Sequence, residues 1–343
     1  MSAASSVETR LLAYRTQVDA ALARYLPDRE PRRHLYDLVR SYPLRAGKGL
    51  RPSLCIATAA AFGAEDRLAT ASATAIEMFH NGFLIHDDIE DGSEFRRGQE
   101  TLHREHGLPL ALNAGDAVLV LAMRPIFDNL HQLGPVLTFA IAAEIEHMVL
   151  ETVEGQAIEL GWMRDNDCDL VPEDYLRMCL KKTCWYTVIH PLRIGALIGS
   201  GGAIRPERLD RFGYFTGAAF QIQDDLLNLI GERERYGKEI GGDVLEGKRT
   251  MMLIHLLSAA GRPEKSWLRD FLAVPRESRT PADVRDVLDL MERHGSIDFG
   301  RTHARFLAGA AMSEFEDVYG DLPPGPDRDF IRDIILYMIE RDL

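Results

Sequence analysis

Apolar residues recur at spacings of three and four along almost the whole chain, the mark of helices that bury one face. The segment 66–91, DRLATASATAIEMFHNGFLIHDDIED, is the clearest case, with Leu68, Ala71, Ala75, Met78 and Phe79 on one stripe. The same periodicity predicts helices over 7–25, 33–42, 51–62, 108–131, 136–163, 172–199, 207–230, 250–260, 282–294, 302–318 and 328–342. Val118-Leu119-Val120 resembles the start of a strand but lies inside a longer helical pattern, so no sheet is predicted. The breaks are short: Pro43, Gly47–Gly49, Gly92-Ser93, Gly201-Gly202, the glycine-rich stretch 237–247, Pro263, Pro275, Pro281 and the run 322–326. No long linker, low-complexity tract or repeat interrupts the pattern. One all-helical domain over residues 1–343 is expected, although the length alone suggests two.

Composition narrows the picture. Forty Lys+Arg stand against 53 Asp+Glu, a net charge of −13, which disfavours a nucleic-acid surface and its clustered cations. Any anionic substrate must therefore be met by local cations or by metal. Four scattered cysteines, with no CxxC pair, point to reduced thiols and a cytoplasmic setting rather than a disulfide framework or a zinc site. The opening MSAASSVETRLLAYR lacks the basic-then-apolar layout of a signal peptide. The most apolar stretches (111–127, 136–150 and 183–200) are interrupted by Asp116, Arg124, Glu144, Glu146, His190 and Arg193, so no transmembrane segment is expected.

Candidate chemistry begins with acid clusters. His86-Asp87-Asp88-Ile89-Glu90-Asp91 ends the most strongly helical segment, with Asp87 and Asp91 one turn apart and Asp88 flanking. Like charges at that spacing repel, so the arrangement is more tolerable with a cation between the carboxylates, and Mg²⁺ is a natural one. A second helix carries Gln221-Ile222-Gln223-Asp224-Asp225-Leu226-Leu227-Asn228, again with oxygen donors at i and i+4. Two such helices suggest two walls of one metal site. Cations accompany them: Lys48 and Arg51 in RAGKGLRP, Arg96-Arg97 just after the first cluster, and Lys238 and Lys248 in GKEIGGDVLEGK. A metal held by acids alone has no use for neighbouring cations; a metal-bound diphosphate does.

With these motifs in order, the chain resembles the trans-isoprenyl diphosphate synthases (polyprenyl synthetases), such as the geranylgeranyl and farnesyl diphosphate synthases. Asp87-Asp88-Ile89-Glu90-Asp91 is similar to the family's first aspartate-rich motif, and Asp224-Asp225-Leu226-Leu227-Asn228 to its second, with Asn in place of the commoner final Asp. The resemblance implies an isoprenoid synthase-type fold, a single large helical bundle around a central cavity, and a homodimer. It also implies roles. Asp87, Asp88, Asp91 and Asp224 hold magnesium, three ions with bound diphosphate. Arg96, Lys182 and Lys238 neutralise the allylic diphosphate, with Lys248 as a further contact. Lys48, Arg51, His80 and Arg97 bind isopentenyl diphosphate. Thr183 and Gln221 stand beside the developing allylic cation. Lys182 rather than Lys181 matches the family's Lys-Thr pair, and the amide of Asn228 can hold a metal-bound water. For His80, a satisfied core histidine is the alternative that the sequence leaves open.

The implied reaction is ionisation of an allylic diphosphate, attack by the double bond of isopentenyl diphosphate, and loss of a proton, with the released diphosphate as the candidate base. Phe83 lies one turn (~6 Å) before Asp87 on the same face, where a growing tail should point. In the family, bulky residues at this position and the one before it act as a floor. Phe83 beside small Gly82 suggests a partly open floor and a C20 product, with farnesyl or longer polyprenyl products as alternatives. Trp185, Tyr186 and His190 form an aromatic-rich stretch expected to serve core or dimer packing. Two readings compete. A class I terpene cyclase would carry an Asn-Ser-Glu type second motif, absent here, and a non-catalytic partner subunit tends to lose an aspartate cluster.

Overall fold

The computed structural model, which describes residues 3–45, 47–230 and 241–339, is all-α apart from one short hairpin. Its helices are α1 (Ala3–Tyr25), α2 (Asp37–Leu44), α3 (Leu50–Ala61), α4 (Asp66–Glu90), α5 (Leu102–His106), α6 (Leu108–Leu121), α7 (Met123–Arg164), α8 (Pro172–Cys179), α9 (His190–Gly199) and α10 (Asp210–Ile230). They continue with α11 (Gly242–Glu246), α12 (Met251–Ala259), α13 (Arg262–Ala273), α14 (Pro281–Arg293), α15 (Ser296–Tyr319) and α16 (Pro326–Ile339). A π-helical segment, Leu180–Ile189, joins α8 to α9.

The chain divides into two compact units, each assembled from three stretches: 1–148, 186–210 and 315–334 in the first, 149–185, 211–314 and 335–343 in the second. In the first unit α4 is the central helix. From Ala73 to Gly82 every residue is buried, so neighbours must approach on all sides, and small side chains make this possible. A Cβ on Gly82 would stand 2.5 Å from Leu119 Cδ2 of α6, and one on Gly115 of α6 would stand 2.4 Å from His86 Nε2. The α3–α9 crossing uses the same device, since a Cβ on Gly195 would meet the Cys55 carbonyl at 2.4 Å. In the second unit, Gly155 of α7 and Gly217 of α10 allow those helices to close on the π-helical segment. Cβ atoms there would lie 2.2 Å from Lys182 N and 2.9 Å from Cys184 Cα.

Three expectations need correction. The chain does contain a sheet: β1 (Phe95–Arg96) pairs antiparallel with β2 (Gln99–Glu100). Two-residue strands are too short to show a period-2 pattern, so no strand signal is legible there. Pro263 opens α13 instead of breaking the chain, and a whole helix was missed with it. Proline in a first turn lacks only an N–H that has no intrahelical partner anyway, and Leu268, Phe271 and Leu272 form the buried face. Pro43, read as a break, is buried within α2 near its end. One stretch, Leu108–Arg164, is long and apolar enough to cross a membrane by length and composition, with 44% of its most apolar window buried. It is not one straight span, because α6 and α7 meet at Ala122 and α7 kinks at Gly134 (φ 75°).

Candidate active site

In the first unit, the last turn of α4 presents Asp87 and Asp88, and Asp91 caps the helix. Asp88 is fully buried: the Tyr42 hydroxyl donates to its Oδ2 at 2.5 Å, Arg96 Nε lies 2.9 Å from Oδ1, and Arg96 Nη2 bonds the same oxygen. Burial and the Asp88 charge raise the Tyr42 pKa, so the phenol remains a donor. Asp87 is half-buried and accepts from Arg96 Nη2 at 3.3 Å. Arg96 is thus buried and paired with two carboxylates. Among the described residues no three His, Cys, Asp or Glu side chains gather as a metal cluster. Magnesium needs no such cage: it takes one or two carboxylates and fills its shell with water and substrate phosphate. Asp87 and Asp91, hard oxygen donors one turn apart, fit that demand, whereas the oxygens of Asp88 are engaged by Tyr42 and Arg96.

The hairpin separates the two arginines. Arg97 (φ 54°) and Gly98 (φ 76°) both have positive φ, the two-residue turn that matches strand twist. Arg96 turns inward to Asp88, while Arg97 Nη1 donates to the Arg45 carbonyl at 2.8 Å. Its guanidinium lies over Gly47, where a Cβ would be 2.7 Å from Nη2. Arg45 in turn donates to the carbonyls of Arg96 (3.3 Å) and Glu100 (2.9 Å) and to Ser41 Oγ (3.2 Å). Arg51, on the first turn of α3, donates to Tyr186 Oη (2.6 Å) and Thr187 Oγ1 (2.9 Å), and its Nη1 lies 3.4 Å from His80 Nε2.

Among the described residues, every hydrogen-bond partner of these three arginines is neutral and none of the three forms an ion pair. Their positive charge is therefore left for another anion. Glu77, buried on α4, feels Arg51 and Arg97 electrostatically, but burial outweighs them and pushes its pKa up. His80 is buried, and desolvation followed by Arg51 and Arg97 drives its pKa well down, so the ring is neutral. Lys48 is exposed on the turn before α3.

Phe83 packs edge-on against Tyr186 (centroids 5.9 Å apart, 86°) and tilts over Phe79 at 6.4 Å. The space beside Gly82 is not open as its small size suggested, because Leu119 fills it. Tyr186 and Thr187, with Tyr42 and Arg45, are site residues that sequence reasoning missed. The aromatic stretch after Lys182-Thr183 was visible but had been assigned to packing. His190 does pack in the core, fully buried, with Nδ1 2.8 Å from Glu144 Oε2 and Nε2 3.0 Å from His147 Nδ1.

In the second unit, a hydrogen-bond chain links the Lys-Thr pair to the second acid cluster. Thr183 Oγ1 donates to Gln221 Oε1 (2.9 Å), Gln221 Nε2 donates to Asp225 Oδ1 (2.7 Å), and the Tyr175 hydroxyl donates to Asp225 Oδ2 (2.8 Å). Burial pushes the Asp225 pKa up to about 7 despite these two donors. Lys182 is ion-paired with Glu159, and Lys181 reaches Glu151 (3.0 Å) and Glu154 (2.6 Å). Asp224 is half-buried, one position from Asp225. Asn228 is buried and its Oδ1 accepts from Asp243 N at 3.0 Å, anchoring the start of α11. Lys248 pairs with Glu246 at 2.9 Å. Lys238 lies outside the described residues.

The polyprenyl synthetase family profile matches residues 32–291. The chain belongs to the polyprenyl synthetase family. Among its relatives, the short chain isoprenyl diphosphate synthase of Methanothermobacter thermautotrophicus is 32% identical over 268 residues, covering 78% of this chain and 79% of the relative. The geranylfarnesyl diphosphate synthase of Natronomonas pharaonis is 30% identical, covering 99% of each chain. A crystal structure of geranylgeranyl pyrophosphate synthase from Corynebacterium glutamicum, complexed with isoprenyl diphosphate and magnesium, superimposes with a TM-score of 0.83 at 26% identity, covering 99% of this chain and 98% of that one. This polyprenyl synthetase is a trans-prenyltransferase, and prenyl diphosphates fit its family as substrates.

The two aspartates of the first motif should behave differently when truncated. Asp88→Ala leaves Arg96 buried without its main counter-charge and should cost about 3–5 kcal/mol in urea unfolding. Asp87→Ala, half-exposed and secondary to Arg96, should cost no more than about 1 kcal/mol. Equal losses would contradict the division of labour between them.

Proposed function

We propose that this polyprenyl synthetase condenses isopentenyl diphosphate head-to-tail with an allylic diphosphate (dimethylallyl, geranyl or farnesyl), and that geranylgeranyl diphosphate is its product. The observation that carries the reading is the set of arginines 45, 51 and 97, bonded only to neutral groups in a chain of net charge −13. A guanidinium so held is oriented with no carboxylate bonded to it, as recognition of a diphosphate requires. Lys48, Arg51, His80 and Arg97 bind isopentenyl diphosphate in this reading, His80 as a neutral ring beside Arg51.

Asp87 and Asp91, with Asp88 as the buried anchor of Arg96, and Asp224 in the second unit hold magnesium, which when bound supplies Lewis-acid stabilisation to a departing diphosphate. The magnesium-bound Corynebacterium relative supports that assignment. Arg96, Lys182, Lys238 and Lys248 meet the allylic diphosphate in this reading, Lys182 and Lys248 by exchanging Glu159 and Glu246 for it, while Thr183 and Gln221 offer oxygen dipoles to the developing allylic cation. The released diphosphate takes the proton that leaves in the last step. Water must be kept from the cation, and the apolar Phe79–Phe83 pair on α4 suits a channel wall. The geranylfarnesyl relative favours, as a second reading, a C25 product.

A homodimer is the assembly we assign. Leu112 and Val120 on α6 and Phe127, Leu130, Val136 and Phe139 on α7 are each at least 44% exposed, large apolar side chains that a second copy would cover. The four cysteines are free and buried, in keeping with a reducing, cytoplasmic setting.

Three experiments test this reading. Purified protein given labelled isopentenyl diphosphate, each allylic primer and Mg²⁺ should form a C20 diphosphate, and Asp87→Ala or Asp224→Ala should lower turnover by at least ~100-fold. Turnover near wild type in both variants would remove the aspartates from the chemistry. In the same assay Phe83→Ala should lengthen the products, and an unchanged spectrum would discard Phe83 as the floor. Sedimentation should give twice the chain mass, falling to one chain in Val136→Asp/Phe139→Asp; a wild-type monomer would refute the dimer, and wild-type partition into lipid vesicles would give the apolar face to a membrane instead.

A further inference from the structure

Arg51 is anchored by residues that belong to none of the aspartate-rich or cationic motifs. Its guanidinium has five N–H groups and no acceptor, so each partner must offer a lone pair. Tyr186 Oη at 2.6 Å and Thr187 Oγ1 at 2.9 Å both accept from Nη2. The guanidinium carbon also lies 4.3 Å from the centroid of the Tyr186 ring. Two consecutive side chains reach one nitrogen here because they stand on the π-helical segment Leu180–Ile189, whose wider turn spreads neighbouring side chains less than an α-helix does. The Tyr186 ring is itself braced, 5.9 Å from Phe83 and 5.8 Å from His80, both on α4. His80 closes the arrangement, with Nε2 3.4 Å from Arg51 Nη1; that nitrogen can only accept, so the ring carries its proton on Nδ1. Thr187 is fully buried, which fixes its hydroxyl.

From this geometry we infer that Tyr186, seconded by Thr187, is a positioning residue that holds Arg51 in the orientation needed to grip the diphosphate of isopentenyl diphosphate. The inference rests on the reading of Arg51 given above. A free arginine side chain would have to be ordered on binding, and ordering a rotamer-rich side chain weakens affinity. Here the neutral hydroxyls and the ring face fix the fork in advance without cancelling its charge. Because Tyr186 acts through Arg51, its loss should affect one substrate and not the other.

The test is steady-state kinetics on the full chain, varying isopentenyl diphosphate at saturating allylic primer and then the reverse. Tyr186→Phe keeps the ring and removes the hydroxyl; it should raise KM for isopentenyl diphosphate about tenfold, the scale of one hydrogen bond to a charged group. The kcat and the KM for the allylic primer should stay within about twofold. Thr187→Val should shift the same KM in the same direction, and it decides the matter if Tyr186→Phe does not fold. A KM for isopentenyl diphosphate that does not move, or a fall in kcat with both KM values shifted alike, would overturn the inference and leave a packing role. Arg51→Ala separates the two levels: if it leaves KM for isopentenyl diphosphate unchanged, the reading of Arg51 fails, whatever Tyr186 does.

Discussion

An acidic protein that handles acidic substrates must keep some cations from pairing with its own carboxylates. In the first unit this is done by choice of partner. Arg45, Arg51 and Arg97 donate to backbone carbonyls, to hydroxyls and toward a neutral imidazole, so each is held in place with its charge intact. Arg96, one residue from Arg97, shows the opposite outcome: two carboxylates claim it and it is buried. The hairpin turn at Arg97-Gly98 makes the difference, since positive φ at both positions sends adjacent side chains to different surroundings. A bulky residue in that backbone conformation is strained, and such strain persists where the surroundings fix it and function uses it.

Buried polar chains do comparable work in the second unit. Thr183, Gln221, Asp225 and Tyr175 satisfy one another in sequence, which fixes the oxygen dipoles of Thr183 and Gln221 before any ligand arrives. The backbone of Lys182-Thr183 is set by the π-helical segment and by two glycines that let α7 and α10 approach it. Helices with an extra residue in the turn recur at functional positions, because the widened turn re-aims side chains that a regular helix would carry away.

The helices were legible in the sequence because burial of one face leaves a period of three and four, and the acid and cation motifs because charge at those spacings is costly without a purpose. What stayed hidden was partner choice. Asp87 and Asp88 look alike in the sequence, yet Tyr42, 46 residues earlier, engages only one of them. The Asn228 amide oxygen also accepts from a backbone N–H 15 positions away, a bond that no spacing announces. Gly82 suggested space that Leu119 fills. Tyr186 had no signal beyond its aromatic character, since contact with Arg51 depends on a π-helix that no residue pattern announces. α13 is hidden because Pro263, which breaks a helix in its interior, stands in its first turn.

The central claim, that arginines with neutral partners form a diphosphate site of their own, is tested most directly by equilibrium binding of isopentenyl diphosphate to the resting protein in excess chelator. These arginines make their hydrogen bonds to neutral groups, so binding should persist without divalent ions, weaken as salt screens the guanidinium charge, and vanish in Arg51→Ala/Arg97→Ala. Binding that appears only when magnesium is restored, or that survives loss of both arginines, would contradict the account.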